Sequence, residues 1–289
     1  MYEQIQYEVE DPIATLTLNR PQRLNAWTGE MGREIKHALA AAENDRRVVV
    51  IILTGQGRGF CAGADLTALG SLSQGGGFSN DAPGTLDAEP GDPSFGPSFR
   101  GTLSYPMSIP KPIVGAINGP CIGMGLPMAL SCDVRFASDR ATFSTAFAKR
   151  GLIAEWGLSW MLPRVVGLGN ALDLLLSARQ VDATEAQRIG LVNRVVPHDE
   201  LLGTARSYAV EIAQNCSPRS LAVIKKEVLQ HQMTTLVEAE QDAMRCMLES
   251  FSRDDFREGV SSFLEKRRPK FERLGREEAV VPARRDASA

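Results

Sequence analysis

The chain has only three histidines in 289 residues, and His37, His198 and His231 lie too far apart to show metal-ligand spacing. Its five cysteines, Cys61, Cys121, Cys132, Cys216 and Cys246, are odd in number and include no C-x-x-C pair. That pattern argues against a zinc site or a disulfide frame and suits free thiols in a reducing compartment. No metal is expected. No apolar run approaches the roughly 18 residues of a membrane span. An excess of positive charge is also missing, since 32 Lys and Arg face 35 Asp and Glu for a net charge of −3. This argues against a nucleic-acid partner. The opening "MYEQIQYEVEDP" is acidic and strand-like, unlike a signal or transit peptide. The expected setting is cytoplasmic.

What is present fits a globular protein with a real core: 43% hydrophobic and 23% charged residues. The length allows one large domain, or one domain with a smaller appendage. "IQYEV" and "IATLTLN" flank an Asp-Pro turn and read as a hairpin. Met31, Ile35, Leu39 and Ala42 recur at helical spacing, and "VVVIILTG" then reads as a strand buried on both faces. Residues 70–104 are dense in Gly, Ser, Pro and Asp and are expected to form a flexible insertion, such as a lid. "KPIVGAING" is a second buried strand, "GMGLPMALSCD" its following helix, and "VRFAS" and "ATFS" further strand pieces. From about residue 158 the pattern turns helical, through "WMLPRVVG", "GNALDLLLSAR", "ATEAQRIG" and "LVNRVV". The predicted class is α/β, repeated ββα units capped by helices. The predicted layout is a core over 1–200, a helical region over 201–271 and a disordered tail over 272–289.

Two strand-to-helix turns carry the chemistry: "LTGQGRGFCAGADL" and "AINGPCIGMGLPMAL". Small residues let backbone N–H groups approach a ligand closely. Two such loops face to face would direct two N–H groups at one oxygen, the arrangement that holds an enolate or oxyanion. Each turn alone reads first as merely a tight turn, and glycine spacing alone leaves a phosphate-cradling loop open. Neither has the G-x-G-x-x-G spacing or a P-loop lysine, which argues against those nucleotide sites.

These loops, with "NRPQRLNAWT", "GLGNALDLLLSARQVDATEAQRIGLVNRVV", "SPRSLAVIKK" and "DDFREGVSSFLEKRRPKF", resemble the crotonase superfamily of enoyl-CoA hydratases and isomerases, in the family's order from about residue 5 to 271. The resemblance implies a crotonase-type spiral of ββα repeats with a C-terminal helical trimerisation region, assembled as a homotrimer or dimer of trimers. It implies an acyl-CoA thioester substrate and no cofactor, coenzyme A being part of the substrate. The oxyanion donors carried over by motif are the N–H groups of Ala62 and Met124. Arg23, Leu24, Ala26 and the run Gly63, Ala64, Asp65 and Leu66 are expected along the CoA moiety, with Asp65 also a candidate helix cap. Phe263 and Lys266 of a neighbouring subunit are expected to contribute. Gly123, Pro127, Phe147, Leu152 and Trp156 complete the expected substrate-binding set.

Hydratases of this family pair two glutamates, and the matching positions here are Pro127 and Phe147. Neither side chain can carry a proton. Glu155, eight residues beyond Phe147, stands in "GLIAEWG", which looks like the setting of the single-glutamate Δ3,Δ2-enoyl-CoA isomerases. Glu155 is therefore the expected catalytic residue, with Leu152, Ile153 and Trp156 expected to shield its carboxyl from water. Alternatives are a divergent hydratase or C–C hydrolase working through Glu155, and an acyl-CoA binding protein without turnover.

Overall fold

The computed structural model describes residues 2–65, 70, 74–75 and 86–276. The hairpin forms as expected: β1 (Ile5–Glu10) pairs antiparallel with β2 (Ile13–Leu18), placing Glu10 opposite Ile13 across the turn. Helix α1 (Gly29–Asn44) follows, capped by the Thr28 hydroxyl, which accepts from the Met31 N–H. It buries the predicted stripe of Met31, Ile35, Leu39 and Ala42. β3 (Val50–Gly55) and β4 (Ile113–Ile117) then extend the sheet in parallel. Two residues, Cys121–Ile122, make β5, and α2 (Gly125–Leu130) follows. β6 (Val134–Ser138) returns to the sheet, while β7 (Thr142–Ser144) pairs with β5.

Why the strands read as continuous apolar runs is now plain. Val50 and Ile52 face one layer with Ile13, Val114, Ala116 and Phe136. Ile51 and Leu53, half a pleat away, face the other layer with Leu16, Ile113 and α1. A strand sealed on both faces has no polar side to alternate with.

The remaining elements are α3 (Leu158–Val166), α4 (Leu168–Ser177), β8 (Val181–Asp182), α5 (Ala183–Arg188) and β9 (Arg194–Val196). They are followed by α6 (Leu201–Asn215), α7 (Pro218–His231), α8 (Leu236–Phe251) and α9 (Asp254–Leu264). The main sheet has the order β1-β2-β3-β4-β6-β9, and a small second sheet the order β5-β7-β8. No helix among the described residues is long and apolar enough to cross a membrane.

Four expectations change. "LVNRVV" does not continue the helical run, because Arg194–Val196 pairs with β6 as an edge strand. The break at residue 200 does not separate two regions, because α6 places Leu201, Ala205 and Ala209 in the layer over β3 and β4. Within the 70–104 insertion, residues 86–104 pack: Phe95, Phe99 and Leu103 join the main core, and Phe95, Phe99 and Trp160 form a ladder of edge-to-face rings 5.6 and 6.3 Å apart. The expectation overlooked these three anchors. Of the predicted tail, residues 272–276 are held: Leu274 is buried, Arg273 pairs with Asp11, and the Arg276 guanidinium donates to the Gly91 carbonyl. The rest of the insertion and tail lies outside the described residues, apart from residues 70 and 74–75.

Candidate active site

Both Gly-containing loops leave the carboxyl ends of parallel strands, the edge where open α/β sheets bind ligands. The loop after β3 and the loop after β4 are zipped together by backbone bonds. Cys61 N–H donates to the Pro120 carbonyl at 3.0 Å, and Ile122 N–H to the Cys61 carbonyl at 2.9 Å. Glycine permits this approach. A Cβ on Gly125 would stand 2.2 Å from the Cys61 carbonyl oxygen, and Gly63 takes a φ of 104° beside Ile122. On its far side the first loop is fastened to residues 24–27. Ala62 N–H donates to Leu24 O at 3.0 Å, Trp27 N–H to Gly63 O at 2.7 Å, and Asp65 N–H to Trp27 O at 3.0 Å.

These pairings correct one expected donor. Ala62 has spent its N–H on Leu24 and has none to offer a substrate. Ala64 stands opposite Trp27 in a parallel bridge, and in such a pair Gly63 and Asp65 bond to Trp27 while the residue between them points its own N–H the other way. The second loop lies on that side: a Cβ on Gly123 would meet Gly63 Cα at 3.5 Å. The Ala64 N–H has no partner among the described residues, and neither has the Met124 N–H at the start of α2. The Met124 side chain is buried in the main core, so only its backbone serves the loop.

The first loop's supports were missed in the sequence. Asn25, wholly buried at φ 56°, accepts the Arg20 N–H and donates to the carbonyls of Gln56 and Gly59. Asn118 donates to the carbonyls of Gly57 and Gly59. The usable signal was Asn25 itself, between Leu24 and Ala26, since asparagine is among the few side chains that tolerate left-handed backbone. Asp65 pairs with Arg20 at 2.8 Å, and Arg20 also donates to Ala26 O. Residues 66–69, Leu66 among them, lie outside the described set, and with them the helix start that Asp65 was expected to cap. Of the positions expected along CoA, Arg23 is exposed and Leu24 and Ala26 are half-buried beside the loop. Phe263 and Lys266 are exposed at the end of α9.

Pro127 is in the first turn of α2 and buried, where a missing N–H is tolerated. Phe147 is buried in the main core with Met124 and Leu126. Glu155 sits in the turn before α3, which packs on α2. Its N–H donates to Ile153 O, its carbonyl accepts from Leu158 N–H, and its carboxylate accepts the Trp156 indole N–H at 3.1 Å. Trp156 adopts φ 57° and Gly157 φ 80°, so the chain reverses directly after the glutamate. A bulky residue held there is strained, and such strain gathers at functional sites. Trp156 packs against the main core. The expected shielding by Leu152 and Ile153 is absent within one chain, where Ile153 is 78% exposed.

The sequence profile described as Enoyl-CoA hydratase/isomerase matches residues 8–274. The chain is 36% identical to the 1,2-epoxyphenylacetyl-CoA isomerase of Escherichia coli (strain K12), over 94% of this chain and 99% of that protein. It is 32% identical to the short-chain-enoyl-CoA hydratase of Clostridium acetobutylicum, over 90% of this chain and 94% of that protein. A crystal structure of an enoyl-CoA hydratase/isomerase from Mycobacterium paratuberculosis superposes with a TM-score of 0.81 at 31% identity, covering 94% of this chain and 99% of the other.

Proposed function

Because the chain belongs to the enoyl-CoA hydratase/isomerase family, whose enzymes act on CoA thioesters, we propose that it moves the double bond of a 3-enoyl-CoA to the 2-position with Glu155 as the proton shuttle. The observation that carries this is the state of the acid positions. Pro127 and Phe147 are buried and protonless, while Glu155 is anchored at a strained turn against the same core.

The thioester oxygen accepts the N–H groups of Ala64 and Met124. Proton loss from the carbon beside the carbonyl then pushes charge onto that oxygen, where the two donors hold it as a dienolate. A preorganised donor of this kind is worth about 10²–10³-fold. The Glu155 carboxylate takes the proton and returns it two carbons along, so one mobile group completes the reaction and water is best kept out. Coenzyme A enters as part of the substrate, and no separate cofactor is required. The E. coli relative's name is an isomerase. Other relatives are named hydratases, which favours a second reading, addition of water to 2-enoyl-CoA. That reading asks one carboxylate to activate water and also to deliver a proton. We further propose a homotrimer or a dimer of trimers, built on the apolar residues that the C-terminal helices leave uncovered.

Product analysis with both 3-enoyl- and 2-enoyl-CoA tests the reaction. Interconversion of the two with little hydration is expected. Glu155→Gln should lower turnover about 10²-fold or more with acyl-CoA affinity retained. Rapid hydration by the wild type, or full activity in Glu155→Gln, overturns the assignment.

A further inference from the structure

The turn that carries Glu155 reverses over two successive left-handed residues, Trp156 at φ 57° and Gly157 at φ 80°. Glycine takes such backbone at no steric cost, whereas tryptophan does not. A turn that had only to reverse would be served by glycine at both places, so the Trp156 side chain has a reason to be there. Two contacts supply it. The ring packs against the main core, and its indole N–H donates to Glu155 Oε2 at 3.1 Å. Neighbouring side chains in a helix or a strand point away from one another. Here the left-handed residue turns the indole back onto the carboxylate directly before it. Because the ring rests on the core, the donor is held, and the carboxylate is held through it.

The two carboxylate oxygens are thereby made unequal. Oε2 is engaged by the indole, and Oε1 has no hydrogen bond to any described residue. A donor on Oε2 favours negative charge there and leaves Oε1 the better place for a proton. The bond also survives protonation. In the neutral acid Oε2 is the carbonyl oxygen and still accepts the indole N–H, while Oε1 carries the hydrogen. The carboxyl therefore need not turn between taking a proton and giving it back.

Resting on the reading of Glu155 as the base, we propose that Trp156 is a positioning residue that fixes Glu155 Oε1 as the oxygen carrying the proton. The C2–H bond of the 3-enoyl thioester breaks, its electron pair enters the dienolate, and the proton goes to Oε1. The Oε1–H bond then breaks toward C4, where an electron pair of the dienolate forms the new C–H bond and the carboxylate is restored. C2 and C4 are separated by a single atom, so one oxygen facing the dienolate serves both. With rotation prevented, the proton is returned before it is traded with water.

Labelled substrate tests this. 3-Hexenoyl-CoA carrying two deuterons at C2 is turned over in ordinary water by the full chain, and the 2-hexenoyl-CoA formed early is analysed by mass spectrometry. One deuteron stays at C2, and the other is found at C4 if returned and is missing if exchanged. Trp156→Phe keeps an aromatic ring and removes the N–H. Its ratio of returned to exchanged label should fall roughly three- to tenfold, the weight of one hydrogen bond. Turnover should fall with it, while KM stays close to that of the wild type. The ratio is set within each turnover, so partial unfolding of the variant does not move it. An unchanged ratio makes the indole a structural prop and overturns the proposal while the base reading stands. Complete exchange by the wild type overturns it equally, because a held carboxyl keeps its proton. Full activity in Glu155→Gln, or no interconversion by the wild type, takes down the base reading and this inference with it.

Discussion

Helices α6 and α8 are of similar length, 15 and 16 residues, yet they meet opposite fates. α6 lays Leu201, Ala205 and Ala209 on the sheet and buries them almost completely. α8 buries only Cys246 and leaves Leu236, Val237, Met244, Met247, Leu248 and Phe251 in the open. An amphipathic pattern tells that a helix has an apolar side, but not which surface covers it. For α6 that surface is in the same chain. For α8 and its neighbours α7 and α9 no described residue supplies it, and exposed apolar surface of this kind marks an interaction face.

The sharpest way to measure the contrast is truncation. Leu16→Ala, in the sealed sheet, should cost about 2–5 kcal/mol in denaturant unfolding. Leu248→Ala should cost no more than about 0.5 kcal/mol in a dilute single chain. Equal costs would mean that α8 is already covered under the conditions of measurement. The converse experiment places a charge on the open face. Phe251→Glu should reduce the mass seen in sedimentation while leaving helical circular dichroism unchanged, and an unaltered mass would remove this face from the interface.

Within the sealed half, the joint between the two loops should be intolerant of even a methyl group. Gly125→Ala drives a Cβ into the Cys61 carbonyl, so a loss of about 1–3 kcal/mol is expected, with turnover falling as the donors separate. Wild-type stability and turnover in this variant would show that the loops can part at no cost.

A smaller effect is read by pH. Lys111 donates to the carbonyls of Ala42 and Asp45 at the end of α1, and burial pulls its ammonium down from 10.5 to about 8. The unfolded chain therefore binds this proton more tightly, so the buried group weighs against folding below about pH 8. That weight is relieved as pH rises to about 10.5. Wild-type stability relative to Lys111→Met should accordingly climb between those values. A flat difference across that window would show that the group does not titrate as described.

The sequence was most legible where local pattern and burial agree. Met31, Ile35, Leu39 and Ala42 define α1 at a period only a helix satisfies, and the unbroken run at 48–53 required cover on both faces of a strand. That Pro127 and Phe147 carry no acid needed no coordinates, and neither did the standing of Glu155 as the remaining candidate. Elsewhere the same local pattern had two outcomes. "LVNRVV" became a strand because β6 offered an unpaired edge, and Phe95, Phe99 and Leu103 turned a Gly- and Pro-rich segment into packed wall.

The proposed oxyanion donor shows the limit most clearly. Ala62 and Ala64 are the same residue two positions apart in "CAGAD", and each offers one N–H. Which of them is free depends on which carbonyl claims the other, and that carbonyl belongs to Leu24, nearly forty residues earlier. The sequence alone determined that a glycine-containing loop would follow each of two buried strands, because strand burial and small residues are written locally. Only the tertiary structure decided that Ala62 is spent and Ala64 is not, because backbone hydrogen bonds between distant segments have no local signature.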